Sequence, residues 1–258
     1  MIEKYYNGVI EQVAGGIGNV EHNSILVRYS NDFSIWDLES VNHYKDQTDI
    51  FFTCHEFSYN KIAEAYEPYL GLIRQMFHKY CSGTLEEFME ECDVYKLQRP
   101  VFESYFEKGF CERTEQILID EVEYEQERMR NSIVTMLQKL SEIRPVVIVL
   151  NRFQLASKST MQLSNSLLQV KNKNIGIVLG VNDVQSIPEF AHEEWDAICE
   201  SMDDRNMVYH IGNAGRNMEP DVMDYYSDYE SDDGYRKLNN LVYFLDFDQA
   251  DHHLSKIE

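Results

Sequence analysis

Pro145-Val146-Val147-Ile148-Val149-Leu150-Asn151-Arg152-Phe153-Gln154-Leu155 is the stretch on which the fold turns. Residues 145–150 are apolar without interruption, and 146–149 are β-branched, so the segment 145–150 reads as a strand. A strand with no polar alternation is buried on both faces, as in the interior of a parallel sheet. Asn151-Arg152 then supplies the turn into a helix. Four further segments have the same character: Ser24–Tyr29, Asp49–Cys54, Asn174–Leu179 and Met207–Ile211. Helical patterns separate them, at residues 2–14, from Asp32 or Ser34 to Val41, 59–80, 83–143, 157–170 and 189–203. Strands alternating with helices predict an α/β fold. We expect a three-layer sandwich around a mostly parallel five-stranded sheet.

Length and charge narrow what such a body can do. The 258 residues suit one large α/β domain, or one domain with a fragment of another, and 17 Tyr and 13 Phe provide ample area for a core. A formal net charge of -22 repels phosphate backbones and anionic lipid surfaces, which excludes nucleic acid and membrane as expected partners. The five cysteines (54, 81, 92, 111, 199) are far apart and form no C-x-x-C, which points to free thiols in a reducing compartment. No apolar run approaches the length of a membrane span, and Met1-Ile-Glu-Lys has no signal core, so a soluble, cytoplasmic protein is expected.

Residues 1–23 form an N-terminal helix and turn. Ala14-Gly-Gly-Ile-Gly-Asn19 stops that helix; a phosphate-binding glycine loop needs the reverse order, strand before and helix after. Residues 24–247 make up the main domain. Within it, 83–140 is a helical insertion opened by the capping box Thr84-Leu-Glu-Glu87 and broken near Arg99-Pro100 and Gly109. The acids between Asp120 and Glu127 scatter around an exposed helix face and carry no paired-carboxylate chemistry. Segment 224–238 is acidic, dotted with tyrosine and expected to be a flexible loop. Leu241–Leu245 resumes as a strand or a helix start, and 248–258 opens a further helical region.

Hydrolase chemistry has little support. There is no G-x-S-x-G elbow. Cys54 and His55 are neighbours on a strand and point to opposite faces, so they cannot pair as thiol and base.

Several segments together resemble the nucleotide-binding module of AAA-like and STAND-type signalling ATPases. Phe51-Phe-Thr-Cys-His-Glu56 followed by Ala65-Tyr-Glu-Pro-Tyr-Leu70 resembles the family's second strand and following helix. Arg144–Leu150 resembles its Walker B strand, Ser159-Thr160 the opening of the next helix, and Gly176–Asn182 the strand that ends in a polar sensor residue, here Asn182. The resemblance covers roughly 24–247. It implies a P-loop NTPase-like sheet within a bacterial multidomain regulator, where such a module precedes tetratricopeptide-like repeats and, in one group, a GGDEF output domain. No GGDEF sequence is present, so that activity would lie outside this chain.

The departures from that pattern are as informative as the matches. The phosphate loop should follow Tyr29 as G-x-x-x-x-G-K-S/T, but the chain has Ser30-Asn31-Asp32-Phe33-Ser34-Ile35-Trp36-Asp37. Without glycine the backbone cannot readily wrap its amides around phosphates, and without lysine no charge meets them. Where the Walker B acid should hold magnesium stands Asn151, an amide with no negative charge. The expectation is therefore a non-catalytic, ATPase-like regulatory module with no cofactor, acting through protein partners or other domains of a longer parent chain. The alternative is a nucleotide switch or ATPase that binds ATP or ADP with magnesium by unconventional contacts, through Ser30, Asn31, Asp32, Phe33, Ser34, Asn151 and Asn182.

Overall fold

Strands β1 (Ser24–Tyr29), β2 (Phe51–Glu56), β3 (Val146–Asn151), β4 (Ile175–Asn182) and β5 (Val208–Ile211) form one sheet in the order β2-β3-β4-β1-β5. Every neighbouring pair is parallel. The computed structural model describes residues 2–19, 23–30, 33–47, 49–58, 63–111, 122–170, 172–183, 187, 191–203, 207–211 and 232–254. These fall into two compact units, one of residues 1–58, 141–156 and 164–222, the other of 59–140, 157–163 and 223–258. Among the described residues no helix is long and apolar enough to cross a membrane.

The first unit is the α/β body. All residues of β3 and β4 are buried, which requires cover on both faces of the sheet. One face is covered by α1 (Ile2–Gly16) and α2 (Glu39–Lys45), which touch each other; α1 lies on β1 and β4, and α2 on β2. Tyr6, Ile10 and Val13 of α1 meet Ile25, Val27, Val147, Val149 and Val178 in a single cluster. The opposite face carries buried Leu26, Ile148, Leu150, Ile177 and Leu179. On the helical side, α8 (His192–Asp203) contributes buried Trp195, Ile198 and Met202. Two glycines set how closely α1 approaches β4. A Cβ at Gly176 would lie 2.6 Å from Val13 Cγ1, and one at Gly180 would meet Tyr6 Oη and lie 2.6 Å from Asn151 Oδ1.

The second unit is helical: α3 (Tyr69–Tyr80), α4 (Leu85–Glu91), α5 (Arg99–Lys108), most of α6 (Val122–Ile143), the first turns of α7 (Lys158–Gln169), α9 (Asp232–Tyr243) and α10 (Phe247–Leu254). Its core is aromatic, with Phe77 5.2 Å from Phe88 and 5.7 Å from Phe106, and Phe244 5.9 Å from Phe102 between ring centroids. The Thr84–Glu87 capping box opens α4, and Gly109 ends α5 at φ 81°.

Several boundaries differ from the sequence reading, each for a local reason. The helix expected over 59–80 begins only at Tyr69, because Pro68 has no N–H to donate and Tyr66 sits at φ 55°; residues 59–62 lie outside the described ones. The helix expected after Asp32 or Ser34 is a 3-10 turn at Ile35–Asp37, followed by extended Leu38 and then α2. Ser34 does act as a cap, accepting from the Trp36 N–H at 3.3 Å. β4 runs through Gly180 to Asn182 rather than stopping at Leu179. Of the segment 224–238 expected as a loop, 232–238 are helical within α9 and the rest lies outside the described residues, as do 112–121. Leu241–Leu245 is the end of α9 and the following turn, not a strand.

Candidate functional site

The topology locates a crevice. After β1 the chain moves to the far edge at β2, whereas after β4 it passes β1 to the opposite edge at β5. Connections that leave two adjacent strands in opposite directions open a crevice beyond their carboxyl ends, where open α/β sheets take ligands. Here that place is edged by Tyr29 and Ser30 at the end of β1, Asn182 and Asp183 at the end of β4, Asn151 and Arg152 at the end of β3, and Glu56 at the end of β2. All belong to the first unit.

Aromatic side chains occupy the centre. Tyr29 Oη donates to Asn151 Oδ1 at 2.7 Å, spanning from β1 to β3 across β4. The register explains the reach: Val27 pairs with Gly180, and the missing Cβ there clears a path for the phenol. The Tyr6 ring meets Tyr29 edge-on at 6.4 Å, and the Phe33 ring lies 5.2 Å from Tyr6 and 4.9 Å from Tyr29. Tyr6 and Asn151 are fully buried, and Tyr6 Oη and Asn151 Nδ2 have no hydrogen-bond partner among the described residues. Burial first, then the nearby Tyr29, Glu56 and Cys54, raise the Tyr6 pKa well above its ordinary value.

The charged groups at the strand ends are engaged locally. Glu56 accepts from Ser34 Oγ at 3.4 Å and from the Ile35 N–H at 3.3 Å, and its other oxygen lies 3.5 Å from Arg152 Nε. Arg152 adopts φ 53°, an uncommon left-handed conformation for a side-chain-bearing residue. Asp183 pairs with Arg28 at 2.8 Å. Asn182 donates its backbone N–H to Gln154 Oε1 at 3.3 Å. Cys54 is pushed up to about 11, chiefly by burial, with Lys45 opposing and Glu56 reinforcing, so it is a thiol at neutral pH. His55 instead meets the Phe57 ring edge-on at 4.5 Å, on the other side of the strand.

The structure thus gathers Phe33, Ser34, Asn151 and Asn182, with Ser30, at one end of the sheet; Asn31 and Asp32 lie outside the described residues. The sequence reading missed Tyr6, Tyr29, Gly180, Glu56 and Arg152 as parts of this place. Gly180, inside an otherwise apolar strand, was the signal that could have found the close approach.

At this end of the sheet Asn151 stands where the resemblance would put a magnesium-binding acid. The one oxygen that Asn151 could offer a cation already accepts from Tyr29, and its amide nitrogen is a donor. Among the described residues, no group of three His, Cys, Asp or Glu side chains is placed to hold a metal ion. The described part of the loop after β1 brings no cation, and its Phe33 ring packs against Tyr6 and Tyr29. Compared with protein-family models, with curated proteins and with solved structures, the chain finds no match in any of the three.

Proposed function

We propose that this chain is a non-catalytic, P-loop NTPase-like regulatory module that works through contacts with protein partners or with other domains of a longer signalling protein. The observation that carries the reading is the Tyr29–Asn151 bond with Tyr6 and Phe33 packed around it, filling the crevice where an ATPase of this resemblance would hold phosphates and magnesium. Two further features support it. The strands 24–29 and 146–151, which would carry the phosphate loop and the magnesium-binding acid, are both interior strands separated by β4 alone. The chain also lacks the glycines, the lysine and the acid at both ends of that apparatus.

The test is isothermal titration of the purified chain with ATP and with ADP in the presence of magnesium, paired with a thermal shift. No heat and no stabilisation are expected. Micromolar binding that weakens when residues 30–34 are altered would overturn the reading and make the chain a nucleotide switch with unconventional contacts.

A further inference from the structure

β5 is the edge strand next to β1, and a groove of about 700 Å³ runs beside it. Lys4, Tyr5, Gly8, Val9 and Gln12 of α1 form one wall, and Tyr209 and His210 of β5 the other. The register fixes what the edge offers. Leu26 donates to the Met207 carbonyl and Val27 pairs with Tyr209, so alternate residues face β1. Val208 and His210 therefore turn their N–H and C=O groups outward, and among the described residues β5 pairs with β1 alone.

Three observations say what covers this edge. Tyr5 is 60% and Tyr209 40% exposed, although both are large and largely apolar. Gly8 sits in the middle of α1 with nothing within 4 Å of the Cβ it lacks, so nothing among the described residues requires glycine there. Gly8 leaves this stretch of the groove wall without a side chain, so a group laid over it meets the helix backbone directly. Finally, among the described residues the groove is lined by Lys4 and by no carboxylate, in a chain that carries 45 of them. A second copy of the chain is disfavoured, since each copy carries a charge of -22.

We propose that the α1–β5 groove docks an extended peptide segment of a partner protein. The segment adds to the outer edge of β5 through Val208 and His210 and lays a large apolar side chain over Gly8, between Tyr5 and Tyr209. A carboxylate next to that side chain meets Lys4, within a partner whose overall charge is neutral or basic. This deepens the interaction-module reading and rests on it.

The experiment is selection of peptides from a random phage-displayed library on the full chain, followed by fluorescence anisotropy with a labelled synthetic copy of the selected peptide. Two variants probe the edge. Gly8→Trp fills the groove, and His210→Pro removes an outward N–H while sparing the ladder to β1. Peptides sharing an apolar residue beside an acid, with binding weakened about tenfold or more by either variant that keeps the parent melting temperature, are expected. Selection of no peptide, or of one whose affinity changes less than about twofold in a folded variant, overturns the proposal. So does sedimentation showing a dimer of the chain that His210→Pro dissolves. A chain that binds neither nucleotide nor peptide loses this surface but keeps the module reading, because the two titrations are independent.

Discussion

Tyr29 Oη donates to Asn151 Oδ1 at 2.7 Å, joining β1 to β3 over Gly180 of the strand that separates them. The neighbouring Tyr6 Oη is equally buried and has no partner among the described residues. Two tyrosines on the same face should therefore respond oppositely to loss of a hydroxyl. Tyr29→Phe leaves both polar atoms of Asn151 unsatisfied and should cost about 1–3 kcal/mol. Tyr6→Phe removes a desolvated group that gains nothing in return, and should be neutral or stabilising. Urea unfolding of both variants decides it; equal destabilisation would mean that Tyr6 has a polar partner.

Gly180→Ala places a methyl group where Tyr6 Oη and Asn151 Oδ1 already lie. Overpacking of this kind costs typically about 1–3 kcal/mol. Part of the clash is with one hydroxyl, so Tyr6→Phe in the same chain should recover a measurable share. A double-mutant cycle reads the coupling. Strict additivity would show that α1 moves away as a body rather than clashing at one atom.

The sheet was legible because its central strands are almost continuously apolar: β3 and β4 are buried on both faces, and no alternation obscures them. The capping box at Thr84 and the glycine stop at Gly109 were legible because each is a local device with a fixed residue type. The aromatic filling of the crevice was not. Tyr6 meets Tyr29 only through long-range packing and in sequence reads as an ordinary apolar helix position, while Phe33, read as part of the loop after β1, gave no sign that its ring packs against both. Gly180 marks a close approach without saying what approaches. The start of α3 was misread because the apolar period continues through Pro68 while the backbone does not.

Asn151→Asp places a carboxylate where an ATPase of this resemblance would have one. The site is fully buried and its register partner is Glu56, so the new charge has a like charge beside it. Burial and repulsion would raise its pKa, and the folded state would then hold the proton to higher pH than the unfolded chain. The variant should lose stability relative to the parent as pH rises above about 4. It should also show no magnesium-dependent ATP hydrolysis, because no lysine or glycine loop accompanies the acid. Turnover above background in this single variant would contradict the non-catalytic reading.

Asp246 gives the second unit a pH dependence of its own. It is buried, and accepts from the Ser159 N–H at 3.0 Å and the Gln249 N–H at 3.3 Å. Burial raises its pKa more than these hydrogen bonds lower it, and Asp248 adds to the rise. The folded chain therefore holds this proton at pH values where an unfolded aspartate, titrating near pH 4, has lost it. With more protons bound in the folded state, stability falls as pH rises from about 4 to the raised pKa, and the loss is complete above it. Asp246→Asn cannot ionise and keeps an oxygen to accept from one of the two N–H groups. The melting temperature of Asp246→Asn minus that of the parent should accordingly increase as pH is raised from 4 towards neutrality. A difference that stays flat across that range would show that Asp246 titrates as an ordinary carboxylate, with its hydrogen bonds offsetting the whole effect of burial.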